Sequence, residues 1–167
     1  MSEDTIQRAG FFRRLAAMVY DALIAVAVGM LSALVIIAII TALLETEILS
    51  KQGYAHVNEL IQSSFAYKLV IQAWVALWIA GFFLWFWKHG GQTLGMRAWR
   101  LRLFTLNEGE QKPMTYSRLI LRLFASLGGL GTLLVLVDFK GKQSLQDRVA
   151  GTQMLFLSKE QNHHKNW

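Results

Sequence analysis

The sequence predicts an all-α integral membrane protein with two transmembrane helices, a broken third apolar segment and a small cytoplasmic β-ribbon. Three observations lead there. Of 167 residues, 54% are hydrophobic and only 17% charged, against about 25% charge in soluble domains. Two long stretches carry no charge, and basic residues gather on the segments that flank them. With no cysteine and one proline, a disulfide framework, a thiolate metal site, a cysteine nucleophile and a collagen-like chain are all excluded.

Ala22 to Leu44 holds 23 uncharged residues, about 34 Å of helix at ~1.5 Å per residue, enough to cross a hydrocarbon core of about 30 Å. Arg8, Arg13 and Arg14 precede it as in a signal peptide, but the apolar part of a signal peptide is only about 7 to 15 residues long, so the run reads as a retained anchor. Leu69 to Trp87 is a second uncharged run of 19 residues, with Gln72 as its one strongly polar group and Tyr67, Trp85 and Trp87 at its ends. Aromatic rings at both edges fit the membrane interface. The third run, Leu123 to Val137, has 15 residues interrupted by Gly128, Gly129 and Gly131. About 22 Å of helix is short for a crossing, and extending it back to Leu119 puts Arg122 in the membrane at roughly 2.5 to 3.5 kcal/mol unless that residue snorkels or pairs. By length alone it is either a span or a re-entrant hairpin.

Charge and strand pairing favour the hairpin. Arg8, Arg13 and Arg14 precede the first run, and Lys88, Arg97, Arg100, Arg102, Lys112, Arg118 and Arg122 follow the second. The loop between the runs balances Lys51 and Lys68 against Glu45, Glu47 and Glu59. Positive flanks stay cytoplasmic, so the N-terminus lies inside and the first loop outside. The tail, with Lys140, Lys142, Arg148, Lys159 and Lys165, belongs inside as well. Arg100 to Leu106 alternates at its start like a half-buried strand and ends at the turn Asn107-Glu108-Gly109-Glu110, and Thr152 to Leu157 is a second short strand. Neither is stable alone, so the two are expected to pair, on one side of the membrane.

Two carboxylates stand out. Arg14 and Asp21 are seven residues apart, nearly two helical turns, so they share a face roughly 10 Å apart along the axis, too far for a direct pair. Ala17, Ala25, Gly29 and Ala33 continue that face with small residues, which suits packing against another helix. An ionisable group in a membrane helix is a functional candidate by default; the plainer reading is that Asp21 lies at interface depth and fixes packing. Ser144-Leu145-Gln146-Asp147 reads as a capping box, with Gly151 ending the short helix. Capping alone would account for Asp147.

Other motifs point away from catalysis. Gly90-Gly91-Gln92-Thr93-Leu94-Gly95 lacks the Lys and Ser/Thr of a phosphate-binding loop and reads as a turn. Histidines 56, 89, 163 and 164 are scattered, so no metal site and no cofactor is expected. There is no Gly-x-Ser-x-Gly elbow, and Gly129-Leu130-Gly131 is followed by Thr132 where an intramembrane aspartyl protease needs an aspartate. The net charge of +6 and the Arg97 to Arg102 cluster suit anionic lipid headgroups, at about 1 kcal/mol per basic residue, rather than nucleic acid. Arg118 and Arg122, four apart, mark an amphipathic, interfacial start to the third segment.

Three pieces, taken in order, carry a resemblance: Arg14 and Asp21 with Ala17 between them, then Gly91-Gln92-Thr93-Leu94-Gly95-Met96-Arg97, then Ser144-Leu145-Gln146-Asp147-Arg148-Val149-Ala150-Gly151-Thr152. Together they resemble the RDD family of small bacterial membrane proteins, named for one arginine and two aspartates. The resemblance covers about residues 8–158, leaving a short polar tail at 159–167. It implies a single membrane domain in the bacterial inner membrane. It also implies that the family's named charges are Arg14, Asp21 and Asp147, acting as a structural or ion-binding cluster. Gln146 stands where the family usually has a histidine or a similar residue.

The family includes proteins linked to transport but has no settled activity. The leading expectation is therefore transport of an ion or small solute. Arg14 would bond Asp147, while Asp21, deeper, would face a polar crevice closed by the third segment and carry any titrating or cation-binding role. Two spans and a hairpin enclose too little volume for an alternating-access path, so transport would need a homo-oligomer or a larger partner. The alternative is a non-catalytic membrane scaffold or assembly protein.

Overall fold

A computed structural model describes residues 7–51, 53–106, 114–138 and 141–162. The turn expected at residues 107–110 and the His163-His164 pair lie outside the described residues. Two apolar helices dominate, α1 (Phe11–Glu45) and, after the short α2 (Val57–Ser63), α3 (Phe65–His89). Both α1 and α3 are long and apolar enough to cross a membrane. α1 starts well before the uncharged run, because nothing between Gly10 and Ala22 breaks a helix. Arg14 and Asp21 therefore sit on its first turns. The chain forms two compact units, one of them Ile24–Gly81 and the other the described residues up to Leu23 and from Phe82 onward.

Within Ile24–Gly81, the small-residue face of α1 meets α3. A Cβ on Gly29 would stand 3.3 Å from Ile79 Cδ1 and 3.5 Å from Val75 Cγ1, so a glycine is what allows this approach. The polar groups nearby are satisfied. Trp74 Nε1 donates to the Ser32 carbonyl at 3.1 Å and Ser32 Oγ to the Gly29 carbonyl at 2.9 Å, as polar groups on an apolar helix require. At the other end of this unit α2 folds onto the helices through Leu60, which is packed with Ile40 and Leu44. Val26, Leu31, Leu34, Leu69 and Leu77 are exposed, an outward apolar shell suited to lipid.

The second unit holds the sheet. After α3 come α4 (Leu94–Ala98), β2 (Leu101–Thr105), α5 (Tyr116–Ala125), a 3-10 segment (Leu127–Leu133), α6 (Leu134–Val137), α7 (Leu145–Ala150) and β3 (Thr152–Phe156). β2 and β3 pair antiparallel with Leu103 opposite Met154, the pairing expected from their alternation. A third strand, β1 (Gln7–Arg8), adds to the other edge of β3, giving the order β1-β3-β2. Two residues cannot display a period, so β1 had no signature of its own. Ala9, Ala17, Trp87, Met96, Leu101, Leu103, Leu119 and Met154 form the core beneath.

The third apolar segment is broken. α5 and the stretch Gly128–Val137 meet at a bend of 76°. Gly128 and Gly129 take φ values of 64° and 104°, a left-handed backbone that costs other L-residues about 1 to 2 kcal/mol. Gly129 also lies so close to Met18 Cε that a Cβ would collide with it. α7 packs against both α5 and the 3-10 segment, so the two arms of the break share one partner.

Candidate functional site

The first charged centre is built on three helices. Arg14 from α1 sends Nη1 to Asp147 Oδ2 at 2.5 Å and to Ser144 Oγ at 3.3 Å. Its Nε donates to the Ala9 carbonyl at 3.1 Å and its Nη2 to the Lys142 carbonyl at 2.9 Å. One guanidinium thus ties the start of α1 to the loop and helix α7. Asp147 accepts a second cation on its other oxygen, Arg122 Nη1 from α5 at 2.5 Å, and that nitrogen also donates to Thr152 Oγ1 at 2.7 Å. Arg14 and Arg122 are each 2% exposed and Asp147 is fully buried.

Local sequence prepares this centre. Ser144 and Asp147 form the expected capping box, with the Asp147 N–H donating to Ser144 Oγ and the Ser144 N–H to Asp147 Oδ2. Gly151 ends α7 at φ 62°, so β3 can begin at once with Thr152, which meets Arg122. Two cations share one anion here. The surplus charge is offset by the carbonyls on Arg14 and by the Trp87 ring, 5.5 Å from Arg122 Cζ. Ser144→Ala removes the cap and one acceptor of Arg14 together. It is expected to cost about 1 to 2 kcal/mol, read as a lower unfolding midpoint of the detergent-solubilised protein, and an unchanged midpoint would contradict this role.

The second centre surrounds Asp21. Thr93 Oγ1 donates to Asp21 Oδ2 at 2.5 Å and the Gly95 N–H to Oδ1 at 2.8 Å. Thr93 caps α4, its Oγ1 accepting from the Met96 N–H at 3.2 Å. A Cβ on Gly95 would collide with the Ala17 carbonyl oxygen and stand 2.8 Å from the Asp21 carboxylate. The glycine is what lets the first turn of α4 reach α1.

This corrects the expectation that Asp21 faces a polar crevice closed by the third segment. Asp21 is 5% exposed, and its carboxylate is taken up by Thr93 and the start of α4 instead. Arg14 and Asp147 are joined directly, whereas Asp21 belongs to a separate hydrogen-bonded centre on the same helix. The glycine-containing stretch, read as a plain turn, proves to be a turn followed by a helix start aimed at an aspartate. Arg122, expected to snorkel or pair and to mark an interfacial helix start, is the second partner of Asp147. Its one signal in the sequence was a basic residue set inside an apolar run. Gln146 Nε2 bonds Thr132 Oγ1 at 2.9 Å, while its buried Oε1 has no partner among the described residues. Those residues bring together no cluster of His, Asp and Glu suited to a metal ion.

The sequence model of the RDD family matches residues 8–151, most of the chain, including Arg14, Asp21, Thr93, Gly95, Arg122 and Asp147. The chain belongs to the RDD family. No curated relative and no solved structure matches it. In this RDD protein Arg14 and Asp147 form a buried ion pair with Arg122 as a further cation. Asp21 anchors the segment that follows α3. Chemically, both centres hold elements of the chain together.

Proposed function

We propose that this RDD protein is a non-enzymatic, multi-pass protein of the bacterial inner membrane whose charged centres clamp a cytoplasmic cap to the first span, making it a scaffold or assembly component. The observation that carries this reading is that all three signature charges are spent on internal contacts. Each carboxylate oxygen of Asp21 and Asp147 already accepts a hydrogen bond from the protein. The sheet supports the topology. Residues before α1, after α3 and after the broken segment lie side by side in it, which suits both chain ends being cytoplasmic, with the third segment entering and leaving by one face. Basic residues around the cap suit anionic lipid headgroups.

Transport of an ion or small solute, within a homo-oligomer or beside a larger partner, is the second reading. What favours it is the unpartnered Gln146 Oε1, which lies beside Gly131, just past the break at Gly128 and Gly129. Purified protein in liposomes separates the two. The scaffold reading expects proton, sodium and potassium gradients to decay no faster than in protein-free vesicles. A flux that disappears in a folded Asp21→Asn variant would replace it with transport.

A further inference from the structure

Arg13 and Arg100 bring two guanidinium groups to one aromatic ring. Arg13 Cζ lies 3.9 Å and Arg100 Cζ 5.0 Å from the centre of the Phe156 ring. The ring attracts each cation, but two like charges gathered this way repel each other. None of the salt bridges among the described residues reaches either one. Arg100 is also held at a φ of 57°, where a non-glycine residue stores about 1 to 3 kcal/mol of strain. Two backbone bonds keep it there, Arg100 N–H to the Arg97 carbonyl at 3.1 Å and Leu157 N–H to the Arg100 carbonyl at 2.8 Å. The fold therefore sustains a strained residue at the place where the second cation joins the first.

We propose that Arg13 and Arg100, gathered at the Phe156 ring, bind the phosphate of an anionic lipid headgroup. A guanidinium meets phosphate oxygens with paired, charge-assisted hydrogen bonds, and a phosphate between the two removes their repulsion. The surroundings select a lipid over a soluble phosphate. Phe12, beside Arg13, is 81% exposed, and Trp99, beside Arg100, is 37% exposed. Large apolar rings next to basic groups belong at the boundary between water and acyl chains. The assignment rests on the reading that α1 enters the bilayer beyond its first turns, with Arg13 on the cytoplasmic side, and it names the lipid class and the residues that hold it.

The test uses the full chain in neutral detergent, titrated separately with dioleoylphosphatidylglycerol, dioleoylphosphatidylcholine and inorganic phosphate, with bound copies counted by native mass spectrometry. The wild type is expected to retain phosphatidylglycerol about tenfold better than phosphatidylcholine, and equimolar phosphate should not displace it. Arg13→Gln and Arg100→Gly should each weaken phosphatidylglycerol about fivefold, the equivalent of one interfacial cation. Arg100→Gly relieves the positive φ, so it keeps the fold while removing the cation. Lys68→Gln, an exposed cation at the start of α3 on the loop side, should bind as the wild type does. Unchanged lipid binding in Arg13→Gln and Arg100→Gly, or displacement by phosphate, overturns the proposal. Alkaline extraction of membranes reports separately on the underlying reading. A chain that stays in the membrane but shows no phosphatidylglycerol preference fails only the headgroup site, whereas a wild type released by alkali fails both.

Discussion

Asp147→Asn is expected to destabilise the protein by about 3 to 5 kcal/mol, the cost of leaving buried charge without its counter-ion. Two guanidiniums converge on this carboxylate, each at 2.5 Å, and an amide cancels neither charge. For a chain of this size the loss corresponds to roughly 6 to 20 °C in the unfolding midpoint. Thermal denaturation of the detergent-solubilised variant reads it directly, and a midpoint equal to that of the wild type would show that the clamp holds nothing. The same group sets an acid limit. Burial alone would raise the Asp147 carboxyl, but the charges of Arg122 and Arg14, with their hydrogen bonds, outweigh it and hold the carboxyl at about 2. The folded value lies below the unfolded one, so this stabilisation is complete above about pH 4 and is lost as pH falls through about 2, at roughly 2 kcal/mol in all. Asp138 is also lowered, first by its bond to Arg148 and then by the Gly141 N–H, and shifts stability in the same direction. Asp138→Asn removes that share and should leave most of the acid slope in place. Stability that stays flat from pH 5 to pH 2 would contradict the buried pair.

Gly95→Ala is the second substitution with a large expected effect. The new methyl would overlap the Ala17 carbonyl oxygen, which is backbone of α1 and cannot turn aside, and would crowd the Asp21 carboxylate. α4 must then back away, which breaks the Gly95 and Thr93 bonds to Asp21 and leaves a buried carboxylate unsatisfied. Overpacking of about 1 to 3 kcal/mol and a lost charged hydrogen bond of similar size together come to about 2 to 6 kcal/mol. The expected result is poor accumulation in membranes and a sharply lower unfolding midpoint. Ala98→Ser, on the exposed side of the same short helix, should behave as the wild type. A Gly95→Ala protein as stable as that control would mean that the close approach of α4 to α1 is not needed.

Much of the architecture could be read from local pattern. The uncharged runs around Ala22 to Leu44 and Leu69 to Trp87 foretold α1 and α3, because the length of an apolar helix is a local property. The Ser144–Asp147 box and Gly151 marked both ends of α7, because capping involves residues within one turn. Alternation from Arg100 onward marked β2. The partner of Asp21 was not legible in this way. The contact with Thr93 joins positions 72 residues apart, and no periodicity in either segment encodes it. The presence of Thr93 and Gly95 in the family's stretch was the nearest signal, and a turn explained those residues equally well.

Composition and spacing by themselves thus determined the lipid-soluble helices, the break at the glycines and the pairing of β2 with β3, since each follows from the chemistry of neighbouring residues. Only the tertiary structure decided that Arg122 joins Arg14 on Asp147, that Asp21 is clasped by α4, and that Gln7–Arg8 completes the sheet. The physical reason is that a buried charge must find its counterpart in space. Several carboxylates and cations along this chain could have met, and packing of distant segments selected the ones that do.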